Sequence, residues 1–308
     1  MNSKNLLVLL LIIIGITITS CNHSQAITPT NDINSPTTEM ETPNPSQDFT
    51  QEATIEPTPT LPMAAIINGE GILLSDFNDE LKRYNLAVNH LNLPKDEEKA
   101  KEVVLNTMEE TILLAQGARE KGFVLDDEIY KKKYEQLVTD AGGENQMNEW
   151  LANNSYSLDS FERLYRLQIE ATWMRDQIIS QVPTREEQIR ARQILVNSKS
   201  TAEDIHHQLE VGADFNYYAW GYDQLAGGEL GWFPRGYLVL PQIEEAVFNL
   251  QPGEYTEVIE STYGYHIVQV MERELDRPLT QDALIQKQKS ALQEWLETRK
   301  STSSVILN

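Results

Sequence analysis

The sequence predicts an α+β protein in which a helical part flanks a segment of strands and turns. Between Phe77 and Trp173, apolar residues recur every three or four positions, which is the spacing of one helix face. From Thr184 onward, strand-like alternation replaces that spacing, and glycine and proline become frequent. A helical apolar stripe returns between Leu279 and Leu296, near the end of the chain.

The composition excludes several classes of protein. The 308 residues include 25 Lys and Arg against 47 Asp and Glu, which gives a net charge of −22. Such a chain would repel a polyanion, so no nucleic-acid partner is expected. A single cysteine, Cys21, excludes an intramolecular disulfide and a cysteine-based zinc site, and no metal site is expected. The length allows one large domain or two modest ones.

The N-terminus predicts a secretion signal that ends before Cys21. Lys4 precedes an uncharged apolar run over residues 6–18, which is shorter than the ~20 residues that span a bilayer as a helix. The run ends at Ile18-Thr19-Ser20-Cys21, which resembles the bacterial lipobox. We therefore expect residues 1–20 to be a lipoprotein signal peptide and Cys21 to anchor the chain, by lipid, at the extracytoplasmic face of the cell membrane. The alternative is an ordinary signal peptide with an incidental cysteine.

Residues 21–62 are predicted to form a disordered linker behind the lipidated Cys21. From residue 22 to residue 62 the chain has seven of its 13 prolines and no Lys, Arg or Gly. Such a composition cannot bury enough apolar surface to offset the entropy of ordering it. The linker would hold the folded part away from the membrane.

Residues 63–184 are predicted to form the helical part. An extended piece at residues 64–67 and a turn at residues 68–71 come first, and Ser75 is the predicted N-cap of the first helix. The apolar stripes of this part are interpreted as core and not as a cofactor site. The predicted helices lie around residues 77–91, 95–121, 129–138, 147–151 and 158–180.

The segment after residue 184 combines strands, helices and turns. Thr184 and Glu187 have capping-box spacing, and residues 189–196 alternate as a strand does. The remaining elements follow in order: helices opening at residues 201 and 213, a glycine-rich stretch at 227–236, a helix at 241–250, a turn at 251–254 and two strands ending at 270.

This ordered series closely resembles the parvulin family of peptidyl-prolyl cis-trans isomerases over residues 186–275. The start of the helical part, Ile66 to Glu70 followed by Leu74 to Phe77, resembles the chaperone domain of PrsA- and SurA-type foldases. With the lipobox, the whole chain resembles a PrsA-type foldase lipoprotein. The resemblance implies a four-stranded sheet wrapped by helices, inserted into a helical chaperone domain. The C-terminal part, residues 276–308, would pack its helix back onto that domain.

The resemblance also implies a site that catalyses cis-trans isomerisation of Xaa-Pro peptide bonds. Isomerisation crosses a barrier of ~18–20 kcal/mol that amide resonance sets, and no bond is broken, so no cofactor is expected. An apolar cup for the proline ring and polar groups around the twisted carbonyl would lower that barrier. By position, the cup is Leu230, Phe233, Leu238, Ile243 and Phe248. The polar network is His266, Ser261, Asp223 and Gln193, with Asp223 in a loop that is shorter than usual in the family.

Two positions depart from the family's pattern, and they leave two functions open. Gln193 replaces the first of two histidines and cannot titrate, and Ile243 replaces an aromatic residue. In the first hypothesis the chain is an extracytoplasmic isomerase, weakened by Gln193, that assists the folding of secreted or nascent polypeptides containing Xaa-Pro. In the second it is a holdase chaperone whose parvulin domain only binds proline-containing clients.

Overall fold

A computed structural model describes residues 61–307 of the chain. The predicted signal peptide, the lipidation site Cys21 and most of the predicted linker lie outside the described residues. In the described part the fold is α+β, as the sequence predicts: a helical part and a four-stranded sheet with its own helices.

The described chain opens with a tight hairpin. Strands β1 (Met63–Ile67) and β2 (Glu70–Leu73) pair antiparallel across Asn68 and Gly69. Both turn residues have positive φ, 50° and 88°, as two-residue hairpin turns require. The sequence predicts the extended piece and the turn, but the helical part also gains a third strand. This strand, β7 (Val305–Leu307), pairs with β1 and closes a sheet of order β2-β1-β7.

Five helices follow in the order that the apolar spacing predicts. Three of them begin at side-chain caps, where Asp96, Asp126 and Ser157 each accept a backbone N–H from the first turn. The predicted cap Ser75 is wrong, because the first helix already begins at Leu74. The helices are α1 (Leu74–His90), α2 (Glu97–Glu120), α3 (Asp127–Ala141), α4 (Glu144–Asn153) and α5 (Leu158–Ser180).

The buried face of α1 differs from the predicted apolar stripe. Leu91 lies just past the end of the helix and is exposed, whereas Asp76, Glu80 and Arg83 are buried. Ion pairs explain the difference, because Asp76 pairs with Arg163 at 2.9 Å and Glu80 pairs with Arg83 at 2.7 Å. A hydrophobic pattern cannot show charged residues that are buried as pairs.

A four-stranded antiparallel sheet of order β4-β3-β6-β5 forms the second part. The predicted capping box at Thr184 and Glu187 is wrong, because this segment is already the start of a strand. The strands are β3 (Arg185–Val196), β4 (Glu229–Pro234), β5 (Ile259–Ser261) and β6 (Gly264–Pro278).

Helices cover both faces of this sheet. Helices α6 (Lys199–Glu210) and α7 (Phe215–Tyr222) pack against Ile194 and Val196 of β3. Helix α8 (Pro241–Phe248) packs in a second cluster, which contains Ile189 and Ala191 of the same strand. Side chains alternate between the faces of a strand, so the two clusters lie on opposite sides of the sheet.

The last helix, α9 (Gln281–Ser301), returns to the helical part as the sequence predicts. Its Leu292 and Leu296 are buried between α2 and α5, with Trp295 beside them. Gly117 of α2 permits this approach, because a Cβ there would lie 2.8 Å from Trp295. The remaining members of the cluster are Leu114, Ala118, Ala171, Met174 and Ile178.

We expect Gly117→Ala to lower the free energy of unfolding by about 1–3 kcal/mol, because overpacking forces side chains and backbone to shift. Denaturant unfolding monitored by tryptophan fluorescence measures this change. Gly221→Ala is the matched control: a Cβ there meets nothing within 4 Å, so stability should stay equal or rise by up to ~1 kcal/mol. A Gly117→Ala protein as stable as the unchanged chain would contradict the close packing of α9 on α2.

Candidate active site

The pairing of three neighbouring strands places Gln193, His266 and Ser261 together. His266 of β6 lies opposite Leu195 of β3 and opposite Ile259 of β5. Gln193 and Ser261 are each two residues from these partners, so they lie on the same sheet face as His266.

The three side chains form one hydrogen-bonded chain. His266 Nδ1 lies 2.8 Å from Gln193 Oε1, and His266 Nε2 lies 2.7 Å from Ser261 Oγ. Ser261 Oγ also accepts the backbone N–H of Tyr263 at 3.0 Å. The structure therefore brings together three of the four polar residues that the sequence analysis selected.

The amide of Gln193 sets the tautomer of His266. An amide oxygen can only accept a hydrogen bond, so His266 Nδ1 must be the protonated nitrogen. Nε2 is then an acceptor, and the Ser261 hydroxyl donates to it. This arrangement leaves the Ser261 oxygen free to accept from Tyr263, so each group in the chain has a compatible role.

Burial keeps His266 neutral. The residue is 2% exposed, and desolvation lowers the pKa of its imidazole below the ordinary value. Both ring nitrogens already have neutral partners, which offer no negative charge to stabilise an imidazolium. The candidate site therefore contains an uncharged histidine near neutral pH.

Asp223 organises a loop and does not take part in the hydrogen bonds that join Gln193, His266 and Ser261 in the described structure. Its Oδ1 accepts the N–H groups of Leu225 and Ala226 at 3.1 Å each, and its Oδ2 accepts that of Gly228 at 3.0 Å. These backbone donors lower the pKa of the Asp223 carboxyl. The carboxylate thus closes the turn that brings the chain into β4.

Gly228 connects that turn to the site, and the sequence analysis includes it only as part of the glycine-rich stretch at 227–236. Its carbonyl oxygen accepts the Gln193 N–H at 2.8 Å, and a Cβ on Gly228 would lie 1.9 Å from the Gln193 carbonyl oxygen. Its φ of +70° also favours glycine. Asp223 therefore holds the backbone of Gly228 in place, and Gly228 in turn holds the backbone of Gln193.

The five predicted cup residues lie in one apolar cluster. Phe233, Ile243 and Phe248 are almost completely buried, and Leu230 and Leu238 are half-buried at its edge. The rings of Phe233 and Phe248 meet edge to face, with centroids 6.1 Å apart. The cluster lies on the α8 side of the sheet, the side that also carries Gln193 and His266.

Glu244 holds the rim of the cluster, and it was missed by the sequence analysis. Its carboxylate accepts the backbone N–H groups of Gly236, Tyr237 and Leu238 at 2.6, 3.0 and 3.1 Å. The signal in the sequence is weak, because an acidic residue in the first turn of a helix such as α8 is common. Glu244 fixes the position of Leu238.

The described residues give no indication of a metal centre or a membrane span. No group of three or more His, Cys, Asp or Glu side chains within residues 61–307 is arranged to hold a metal ion. None of the helices in that range combines the length and apolarity needed to cross a bilayer. Of the two adjacent histidines of α6, His206 packs against Tyr255 and its side chain is only 12% exposed, whereas His207 is largely exposed.

Comparison with known proteins identifies the four-stranded part. Residues 177–274 match the family model of the PPIC-type PPIASE domain. A foldase protein PrsA of Caldanaerobacter subterraneus is 32% identical over 179 residues, which cover 54% of this chain and 56% of that protein. A PrsA of Halalkalibacterium halodurans is 42% identical over 91 residues, or 28% of this chain and 27% of that protein. A chaperone SurA of Burkholderia orbicola is 36% identical over 114 residues, or 33% of this chain and 25% of that protein.

The matches cover only part of the length of these proteins. The chain spans from about a quarter to about half of the curated relatives named above. Among solved structures, the PrsA peptidylprolyl isomerase of Bacillus cereus aligns over 76% of this chain and 84% of its own, at 22% identity and a TM-score of 0.43. Residues 177–274 thus match the PPIC-type PPIASE domain, and the chain is similar to PrsA-type foldases.

We expect the His266 side chain to be protonated at Nδ1 and not at Nε2 at neutral pH, because Gln193 Oε1 can only accept. Nitrogen-15 NMR of labelled protein distinguishes the two tautomers. Replacement of the acceptor in Gln193→Met should remove this preference and broaden or shift both signals. Protonation at Nε2 in the unchanged chain would contradict the hydrogen-bond roles.

Stability should fall as the pH drops below about 6.5, because unfolded His266 then binds a proton that the folded protein does not. The stabilisation is complete above the unfolded pKa and is lost as the pH falls towards the lowered folded pKa. The free energy of unfolding should fall by up to about 1.4 kcal/mol per pH unit in this range. Denaturant unfolding of the unchanged chain and of His266→Gln isolates this contribution, which the variant should lack. Equal slopes for the two proteins would contradict a buried neutral histidine.

Proposed function

We propose that the chain is an extracytoplasmic foldase whose parvulin domain catalyses cis-trans isomerisation of Xaa-Pro bonds in its clients. The observation that carries the proposal is the Ser261–His266–Gln193 hydrogen-bonded chain, which shares a sheet face with an apolar cluster. The PPIC-type domain match over residues 177–274 supports the same function.

The proposed catalysis needs no covalent step. The apolar cluster of Leu230, Phe233, Leu238, Ile243 and Phe248 holds the proline ring, which favours a geometry in which the amide is twisted out of resonance. A twisted amide has a more basic nitrogen and a less polar, ketone-like carbonyl, so leaving water costs it less than it costs the planar amide. Fixed dipoles in the site need no reorganisation as the amide twists. The Ser261–His266–Gln193 chain supplies these dipoles, and Asp223 supports it through Gly228.

The cellular setting belongs to the proposal as well. Cys21 would carry the lipid anchor after removal of residues 1–20, and residues 21–62 would link it to the folded part. Residues 63–184, completed by residues 276–308, would form the chaperone domain around the inserted domain at 186–275. Clients would be unfolded secreted polypeptides.

A holdase without isomerase activity is the second candidate, and one observation favours it. Phe233, Ile243 and Phe248 are 0%, 3% and 3% exposed, so most of the cup is filled by its own side chains. Substrate can then reach only Leu230 and Leu238 unless the rim moves. With Gln193 in place of a histidine, the domain would bind proline-containing segments weakly and leave the bond unchanged.

The two candidates differ in the relaxation of a short Xaa-Pro peptide from cis to trans. We expect the full chain to accelerate it, and His266→Ala to lower kcat/KM by about tenfold, the effect of losing roughly 1.4 kcal/mol of transition-state stabilisation. His207→Ala is the matched control, because that histidine is largely exposed on α6 and should leave the rate unchanged.

Three outcomes decide between the candidates. No acceleration by the unchanged chain, together with activity gained in Gln193→His, would overturn the isomerase and leave the holdase as the remaining candidate. Acceleration that a folded His266→Ala protein retains in full would remove the hydrogen-bonded chain from the mechanism. Loss in His266→Ala with no loss in His207→Ala supports the proposal.

A further inference from the structure

The helical part contains a partly open cavity of about 560 Å³, well separated in sequence from the parvulin residues. Its walls come from β2, α1, α2 and α5, with Tyr156 from the turn between α4 and α5. The lining is mainly apolar, and this volume is typical of protein pockets that bind a small molecule or a few side chains. Ile72, Val104, Met108, Ile112, Phe161 and Leu164 contribute to this apolar lining.

Each arginine that lines the cavity already has an acidic partner. Arg163 pairs with Asp76 at 2.9 Å, and Arg119 pairs with Glu70 at 2.8 Å and with Glu170 at 3.4 Å. The third, Arg166, pairs with acidic residues outside the lining. All three guanidinium groups are therefore already ion-paired, and an anionic ligand would have to displace one of their acidic partners.

Among the residues that line the cavity, Glu80 has a carboxylate oxygen that is buried without a hydrogen-bond donor. Glu80 is 8% exposed, and its Oε1 accepts from Arg83 at 2.7 Å and from the Tyr156 hydroxyl at 3.3 Å. Its Oε2 is buried and has no partner within the described residues, and the same is true of Nε of Arg83, which does not line the cavity. An unpaired buried acceptor costs roughly 1–3 kcal/mol, so a donor that reached Oε2 would recover that free energy.

We propose that this cavity binds a lysine or arginine side chain of an unfolded client, together with a neighbouring apolar side chain. The apolar walls cover the methylene stem and the neighbouring group, and the N–H donor at the end of the stem meets Glu80 Oε2. Charge favours the same ligand, since the chain's net charge of −22 attracts cationic segments.

The cavity would then hold clients independently of the proline site. This inference deepens the proposed foldase function by giving the helical part a side-chain preference of its own. It does not require isomerase activity, because no residue of the His266 chain or of the cup lines the cavity.

The test uses the full chain and proline-free fluorescent peptides of Gly and Ser that carry one Phe-Lys, Phe-norleucine or Phe-Glu pair. Fluorescence anisotropy should show the Phe-Lys peptide binding at least about tenfold more tightly than the Phe-Glu peptide. The Phe-norleucine peptide should fall between them, because it keeps the stem and lacks the donor. Equal affinities for all three peptides would overturn the proposal.

Two variants locate the site. Glu80→Gln removes the charge and should reduce Phe-Lys binding by about tenfold, whereas Glu128→Gln, on an exposed residue of α3, should leave it unchanged. Thr107→Phe fills the cavity from α2 and should abolish binding of the Phe-Lys and Phe-norleucine peptides without loss of thermal stability. Full binding in a folded Thr107→Phe protein would place the peptide elsewhere and overturn the proposal, even if Glu80→Gln fails to fold.

The same proteins separate this inference from the isomerase. Glu80→Gln and Thr107→Phe should keep the rate at which the unchanged chain relaxes a short Xaa-Pro peptide. Binding of Phe-Lys peptides by a chain without isomerase activity would leave the cavity proposal intact and remove the proposed catalysis. Catalysis by a chain that shows no preference for the Phe-Lys peptide would leave the isomerase proposal intact and overturn the cavity proposal.

Discussion

The antiparallel pairing of β3 with β6 is the constraint on which the rest of the structure depends. One end of the pair, Arg185 opposite Pro278, brings the start and the end of the four-stranded segment together. The hydrogen bond from the Leu279 N–H to the Thr184 carbonyl, at 2.9 Å, extends that junction and directs α9 back onto α2 and α5. The other end of the pair sets His266 diagonally across from Gln193. A shift of one residue would turn one of the two side chains to the opposite face, so the register determines both the path of the chain and the site.

The candidate active site and the wall of the helical cavity differ in how their buried polar groups are paired. In the four-stranded part, both ring nitrogens of His266 have partners, and Glu244 satisfies the backbone around the cup. A fully satisfied network fixes one arrangement of side chains, which suits a site that must present fixed dipoles. In the helical part, Glu80 is paired through one oxygen and unpaired at the other. Native proteins have few such atoms, and the proposed client side chain would supply the missing donor at Glu80 Oε2.

Much of the fold follows from the sequence because apolar spacing and turn residues agree along the chain. The helix Leu158–Ser180 is predicted with the bounds that the structure shows, and the grouping of Gln193, His266 and Ser261 follows from a family pattern. Other features depend on contacts between residues far apart in the chain. The strand at Val305–Leu307 is short and exposed, so it is defined only by pairing with β1. The burial of Glu80 depends on Arg83 and Tyr156, and hydrophobic periodicity gives no signal for it.

The central claim is that Gln193 and His266 act as one hydrogen-bonded unit across β3 and β6. A double-mutant cycle on the free energy of unfolding tests it directly, with Gln193→Ala, His266→Ala and the double variant. Residues in one network couple by about 0.5–3 kcal/mol, and we expect a value near 1 kcal/mol or above. The same cycle between Gln193→Ala and His207→Ala should be additive, because His207 lies on α6 and its side chain is largely exposed. Additivity between Gln193 and His266 within about 0.3 kcal/mol would contradict the claim.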